Sequence, residues 1–165
     1  MHGITASAFT SALSQAANGV SIVTTSWNEQ SAGLTVSSMC SVCAEPALLL
    51  VCVNQDNNFC TLADQSGHFA VNILASDCVP LASVFAGITD THGPERFLQG
   101  QWTTLTTGSP ILSSALVSLD CTIDSSIEKG THRVFFGNVV DVRTTKGDPL
   151  LYTDRRFAAV LPVPV

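Results

Sequence analysis

Seven or more short β-type runs lie along the chain, and the gaps between them decide the fold class. Val20 to Ser26, Ala32 to Met39, Leu48 to Asn54 and Phe69 to Leu74 read as strands, as do Leu116 to Ile123, Val134 to Val142, Leu150 to Thr153 and Phe157 to Leu161. Parallel neighbours need a crossover of about a dozen residues or more, usually a helix, and most of these gaps are shorter. No Gly-x-Gly-x-x-Gly is present either. The pattern therefore predicts a mainly β protein, an antiparallel barrel with helical decoration. Two or three short helices fit around it. Ala8, Phe9, Ala12, Leu13 and Ala16 share one helical face between Thr5 and Ala17, before Asn18-Gly19. A second helix is predicted from Asn58 to Gln65, ended by Gly67. A third runs from Asp77 to Phe85, with Pro80 tolerated in its first turn. Gly87 to Gly100 reads as a loop.

The chain has 165 residues, the size of one domain, and 45% are hydrophobic, enough for a sizeable core. Only 12% are charged, about half the usual share. A surface so poor in charge is most simply covered by a second copy, so a homo-oligomer is expected. The net charge is -6, and seven basic residues form no cluster beyond Arg155-Arg156. Nucleic-acid binding needs a basic stripe and is excluded. An acidic face also repels anionic lipid, and no stretch reaches the roughly 20 apolar residues that span a bilayer. The N-terminus lacks a basic segment followed by an apolar run, so no export signal is expected. Six cysteines then read as free thiols in a reducing, cytoplasmic setting. Cys40 and Cys43 form a Cys-x-x-Cys, but zinc needs two further ligands, and residues three apart on a strand point to opposite faces. No metal is expected there, and His2, His68 and His92 lack ligand-like spacing.

One stretch asks for more than packing: GLTVSSMCSVCAEPALLLVCVNQDNN, from Gly33 to Asn58. Thr35, Ser37, Ser38 and Ser41 place small hydroxyls among apolar residues, and the strand beyond them ends in the Asn-rich turn Asn54 to Asn58. A flat ring with a polar edge needs main-chain N–H and C=O groups and small side chains beside it. A phosphate tail could sit at the start of the helix near Asn58, where free N–H groups and the helix dipole replace the scarce cations. Asp56 opposes a phosphate unless it turns away and caps the helix. Each piece alone also has an ordinary reading, since strands often carry Ser and Thr and Asn-rich turns often only turn.

The ordered set ANGVSIVTT, GLTVSSMCSVCAEPALLLVCVN, GHFAVNIL, FAGITDTHGPERF, LDCTI, GTHRVFFGNVVDV and LLYTDRRF resembles the short flavin reductases over roughly residues 8 to 161. These are the small partners of two-component flavin-dependent monooxygenases. The likeness is greatest to those serving 4-hydroxyphenylacetate and chlorophenol hydroxylases. The resemblance implies a six-stranded antiparallel split barrel, a homodimer, FAD or FMN, NADH, and a separate oxygenase that hydroxylates an aromatic compound. It implies that Thr35, Val36, Ser37, Ser38, Ser41 and Val42 border the isoalloxazine ring. Cys52, Val53, Asn54, Gln55, Asp56, Asn57, Asn58 and Phe59 would hold the ribityl chain and phosphate. Phe85, Ala86 and Gly87 would line the same site. His132, in GTH, would meet the nicotinamide dinucleotide over the flavin. Tyr152 and Phe157 fall near dinucleotide and ring, although ordinary strand packing accounts for them equally well. Arg156 would pair with a cofactor phosphate or with an acidic neighbour. Many relatives place Ser and Arg where this chain has Asp56, Asn57 and Asn58, which leaves phosphate holding to backbone N–H groups and Asn amides.

The implied reaction is hydride transfer from a nicotinamide to a flavin, which needs stacked rings and little acid–base help. That agrees with the lack of a carboxylate pair or a Ser/His/Asp set. A non-catalytic flavin-binding carrier is the rival, and His132 favours the enzyme. An oxidase of the pyridoxamine-phosphate type would want more cations at the phosphate. The scarcity of basic residues also favours NADH over NADPH.

Overall fold

The computed structural model describes residues 3–161. Helix α1 (Ala6–Leu13) precedes β1 (Asn18–Gly19), β2 (Ser21–Trp27), β3 (Gln30–Val36), β4 (Met39–Ala44) and β5 (Ala47–Asn54). Then come α2 (Asn58–Ser66), β6 (His68–Ile73), α3 (Val79–Phe85), β7 (Trp102–Thr104), β8 (Pro110–Leu112), β9 (Val117–Lys129), β10 (His132–Thr144), β11 (Leu150–Thr153) and β12 (Arg156–Ala159). Short 3₁₀ segments occupy Ser76–Cys78 and Gly93–Leu98.

The protein is mainly β, and its main sheet is antiparallel in the order β3-β2-β6-β9-β10-β5-β4. It has seven strands where six were expected. The sequence run from Ala32 to Met39 is broken at Ser37-Ser38, and β4 starts beyond the break. The two edge strands are therefore consecutive in the chain, joined through that corner. Ser38 fastens it: its Oγ donates to the Cys52 carbonyl at 2.8 Å, and the Cys52 N–H donates back to Ser38 O at 3.3 Å. A small sheet, β1-β11-β12, lies alongside, joined where Val20 N–H donates to Leu150 O at 3.0 Å.

Two aromatic clusters fix the helices. Under α2, Phe59, Phe69 and Phe135 pack with centroids 5.8–6.4 Å apart. Gly137 admits this cluster, because a Cβ there would lie 2.5 Å from Phe69 Cζ. Under α3, Phe85 meets Phe97 edge-on at 5.1 Å and Trp102 at 5.5 Å. The sequence reading missed β7 and β8, whose three residues each are too few to show a period.

Helices α2 and α3 form where the sequence placed them. Asn57 caps α2 by accepting from Phe59 N–H, and Gly67 ends it in the left-handed conformation. Helix α1 is shorter than expected and buries no residue, so its apolar face finds no core within this chain. Strands β9 and β10 run longer than predicted, because their outer halves leave the core and lose the apolar alternation. Cys40 and Cys43 also depart from expectation. A register shift at Val42 sets them opposite Leu50 and Leu48, which share a face of β5, so the bulge returns both thiols to one side. Among the described residues, no group of three or more His, Cys, Asp or Glu gathers as a metal site.

Candidate functional site

As an edge strand, β3 turns alternate main-chain groups away from β2 toward open space. Gly33 marks the open set, because its carbonyl accepts from Arg96 Nη1 at 3.5 Å. Thr35 shares its parity. Beside this edge lies a cavity of ≈ 180 Å³. Thr35, Val36 and Ser37 form one wall, Ala86 and Ile88 a second, and Val20, Tyr152 and Phe157 a third. The cavity is apolar apart from its hydroxyls, which suits a flat aromatic ring with a polar rim.

Each wall is tied down. Thr35 Oγ1 donates to Ala82 O at 2.7 Å, clamping α3 to β3. Gly33 lets Phe85 lie against the strand, since a Cβ there would stand 2.9 Å from Phe85 Cε1. Tyr152 and Phe157 are cross-strand partners whose rings meet edge-on at 5.5 Å. The Thr35 and Ser38 hydroxyls are both engaged within the protein, so on this wall Ser37 is the hydroxyl without a partner among the described residues.

A second cavity, ≈ 320 Å³, continues along β3 toward Gln30. Its far side is the turn Asp56-Asn57-Asn58, and its roof is Gly93, Pro94 and Arg96. The turn's backbone donors are mostly engaged internally. Gln55 N–H donates to Thr131 O, Asp56 N–H to Asn54 Oδ1, Asn57 N–H to Asn54 O, Phe59 N–H to Asn57 Oδ1 and Cys60 N–H to Asn57 O. From 55 to 60, only the Asn58 N–H keeps no partner among the described residues. The expectation that main-chain donors alone hold a phosphate here is narrowed to that one N–H and two Asn amides.

The structure thus gathers Thr35, Val36, Ser37, Ala86, Tyr152 and Phe157 at one cavity and Asp56, Asn57 and Asn58 at the other. Gly87, at φ +74, lies beside the Arg96 guanidinium. Other candidates lie elsewhere. Ser41 and Val42 are exposed on β4, beyond the corner that the sequence reading ran through. Val53, Phe59 and Phe85 are core residues at 0–1% exposure, so they support the site from behind. Cys52 and Asn54 lie on the outer face of β5, and Ser38 faces a groove against α1 together with Arg155. Gln55 ties the turn to the β9–β10 hairpin through Gly130 O at 3.4 Å. Arg156 is exposed and pairs with Asp154 at 3.5 Å. His132 is exposed at the hairpin tip, holds Thr131 Oγ1 at 2.9 Å and lies cross-strand from Asn54, lining neither cavity. Val20, Ile88 and Arg96 were missed. Arg96 carried a usable signal, since in a chain with seven cations each one near FAG merits a role.

Comparison with known proteins gives the family and agrees with the fold. The family model described as flavin reductase like domain matches residues 13–161. The FMN reductase (NADH) RutF of Pseudomonas syringae pv. syringae is 38% identical over 151 residues, covering 91% of this chain and 84% of that protein. The crystal structure of BorF, the flavin reductase component of a bacterial two-component tryptophan halogenase, superposes with TM-score 0.87 at 26% identity, over 96% of this chain and 100% of that one. The NADH:FAD oxidoreductase SgcE6 of Streptomyces globisporus, in complex with NAD and FAD fragments, gives TM-score 0.86 at 26% identity over 94% and 93%.

Proposed function

The chain belongs to the flavin reductase like family and is an NADH-dependent flavin reductase, and from that premise we propose that it delivers free reduced flavin to a separate oxygenase acting on an aromatic compound. The observation that carries the reading is the pair of adjoining cavities along the open edge of β3, one apolar, one polar and bordered by the Asn-rich turn. FMN or FAD, held between these cavities, would supply the acceptor for the hydride of NADH. The residues supply placement. The β3 edge offers N–H and C=O groups to the polar rim of the ring. Ala86 and Ile88 close one side, and Tyr152 with Phe157 shape the other. His132 stands ready to orient the nicotinamide, on a hairpin pinned to the turn through Gln55.

The protein works as a cytoplasmic homodimer in this proposal. The low charge content, the uncovered apolar face of α1 and the half-buried Leu48 and Leu50 on the outer sheet face support a second copy. No helix among the described residues is long and apolar enough to cross a membrane.

The test is NADH oxidation followed at 340 nm with FMN, FAD and riboflavin. A flavin-dependent rate is expected, and its absence rejects the reading. His132→Ala should raise the KM for NADH and lower kcat/KM by about 10- to 100-fold, as loss of a positioning hydrogen bond would, with flavin affinity kept. An unchanged rate removes His132 from the site.

A further inference from the structure

The phosphate cavity raises a question of charge. A flavin phosphate is a dianion, and the turn offers it one free N–H, two amides and, in Asp56, a carboxylate on the same cavity wall. We propose that Arg96 is the phosphate-recognising residue of this reductase and that Asp56 opposes it, setting a flavin affinity low enough for release. The proposal rests on the flavin reading above and names the group that reading lacked.

Elimination points to Arg96 first. Arg133 is bound to Asp64 at 2.6 Å and lies over the Phe135 ring. Arg143 donates to the Leu112 and Ser113 carbonyls. Arg156 pairs with Asp154, and Arg155 lines the separate groove against α1. Lys129 ends β9 and Lys146 lies in the β10–β11 connection. Among the described residues, Arg96 is the one cation that lines the cavity of the Asn-rich turn.

Its setting suits the role. The side chain is half-buried, so its charge is screened less than a fully exposed one. Among the described residues, no carboxylate pairs with it. Its Nε donates to Thr91 O at 3.4 Å and its Nη1 to Gly33 O at 3.5 Å, which holds the fork in place but leaves Nη2 without an acceptor among the described residues. Nη2 lies 3.5 Å from where a Cβ on Gly87 would stand, so the guanidinium lies beside the segment whose Ala86 and Ile88 line the ring cavity. A planar fork with free N–H groups is the side chain best matched to a phosphate. Asp56 lines the same cavity and forms no ion pair with Arg96, so the two charges share one small volume without cancelling by contact. Phosphate gains from one and loses from the other, as a protein that must release its flavin requires.

Riboflavin carries the same ring without the phosphate, and this makes the test selective. Dissociation constants for FMN and riboflavin are measured by flavin fluorescence on the full chain and on Arg96→Ala, Arg96→Lys and Asp56→Asn. Arg96→Ala is expected to weaken FMN about 10- to 100-fold, the range for a charge-assisted hydrogen bond, and to leave riboflavin within about twofold. Arg96→Lys should restore part of the FMN affinity, because it keeps the charge without the fork. Asp56→Asn should tighten FMN a few-fold with riboflavin unchanged. Riboflavin binding also reports that each variant is folded. Equal loss for both flavins, or no change for FMN, overturns the assignment. Binding of neither flavin by the unaltered protein rejects the flavin reading itself, and the role of Arg96 falls with it.

Discussion

The two cavities lie side by side on one strand and are built in opposite ways. The ring cavity is made of regular elements: the end of β3, the end of α3 and the β11–β12 hairpin, each locked by a hydrogen bond, an aromatic pair or a glycine contact. Its neighbour is made of turns, with Asp56–Asn58 facing the 3₁₀ segment Gly93–Leu98. One holds its shape through packing, and the other selects through charge. The division suits a protein that must position a ring accurately and still let the whole flavin leave.

Phe85→Ala should separate the two most sharply. Phe85 is 1% exposed, rests on Gly33 and meets Phe97 and Trp102. Its truncation should cost about 3–5 kcal/mol of stability, read as a lower urea midpoint. The wall of Ala86 and Ile88 then loses its backing, so FMN and riboflavin should weaken together. A variant that loses FMN and keeps riboflavin would show that α3 serves the phosphate cavity, reversing the division drawn here.

The same contrast explains what the sequence disclosed. Regular elements announce themselves through period and caps. Thr35, Tyr152 and Phe157 were legible because strands carry them, and α2 was legible from Asn57 and Gly67. Corners and loops do not announce themselves. The break at Ser37-Ser38 is invisible in a continuous β-type run, so Ser41 and Val42 were placed beside the ring when they lie on the outer edge. The bulge at Val42 likewise reverses the facing of Cys40 and Cys43 against the simple alternation rule. Motif likeness could not tell contact from support either. Phe59 and Phe85 were carried over from the resemblance as cofactor contacts, whereas both are core residues beneath the cavities. Arg96 reaches Gly33 across 63 positions, and a contact that distant has no local signature.

Asn57→Ala probes the charged cavity with a smaller effect. The variant removes the acceptor for Phe59 N–H at the start of α2. The expected loss is about 1 kcal/mol, within the usual range for an N-cap. FMN should weaken more than riboflavin, since the turn that carries Asn58 frays while the ring walls stay packed. Equal weakening of both flavins would mean that the two cavities share one mechanical unit.

The smallest effect isolates fold stability from either cavity. His68 lies outside both, half-buried, with Nδ1 at 2.7 Å from Ser109 Oγ. Ser109 is joined to Thr107 Oγ1, which donates in turn to the buried carboxylate of Asp120. Burial lowers the His68 pKa below its ordinary 6.5, and the Asp120 charge offsets only part of that. The folded protein therefore resists protonating this ring more than the unfolded chain does. That contribution to stability is present above the unfolded value and is lost as pH falls below about 6.5. Carboxylates also titrate in this direction, so the informative quantity is a difference. Between pH 7.5 and 5.5, the Tm of the unaltered protein should fall further than that of His68→Gln, by a few degrees or less. The ratio of FMN to riboflavin affinity should be the same in both proteins at each pH. A ratio that moved with His68 would mean that the network reaches the phosphate cavity through β2 and β3, and the two regions would no longer be independent.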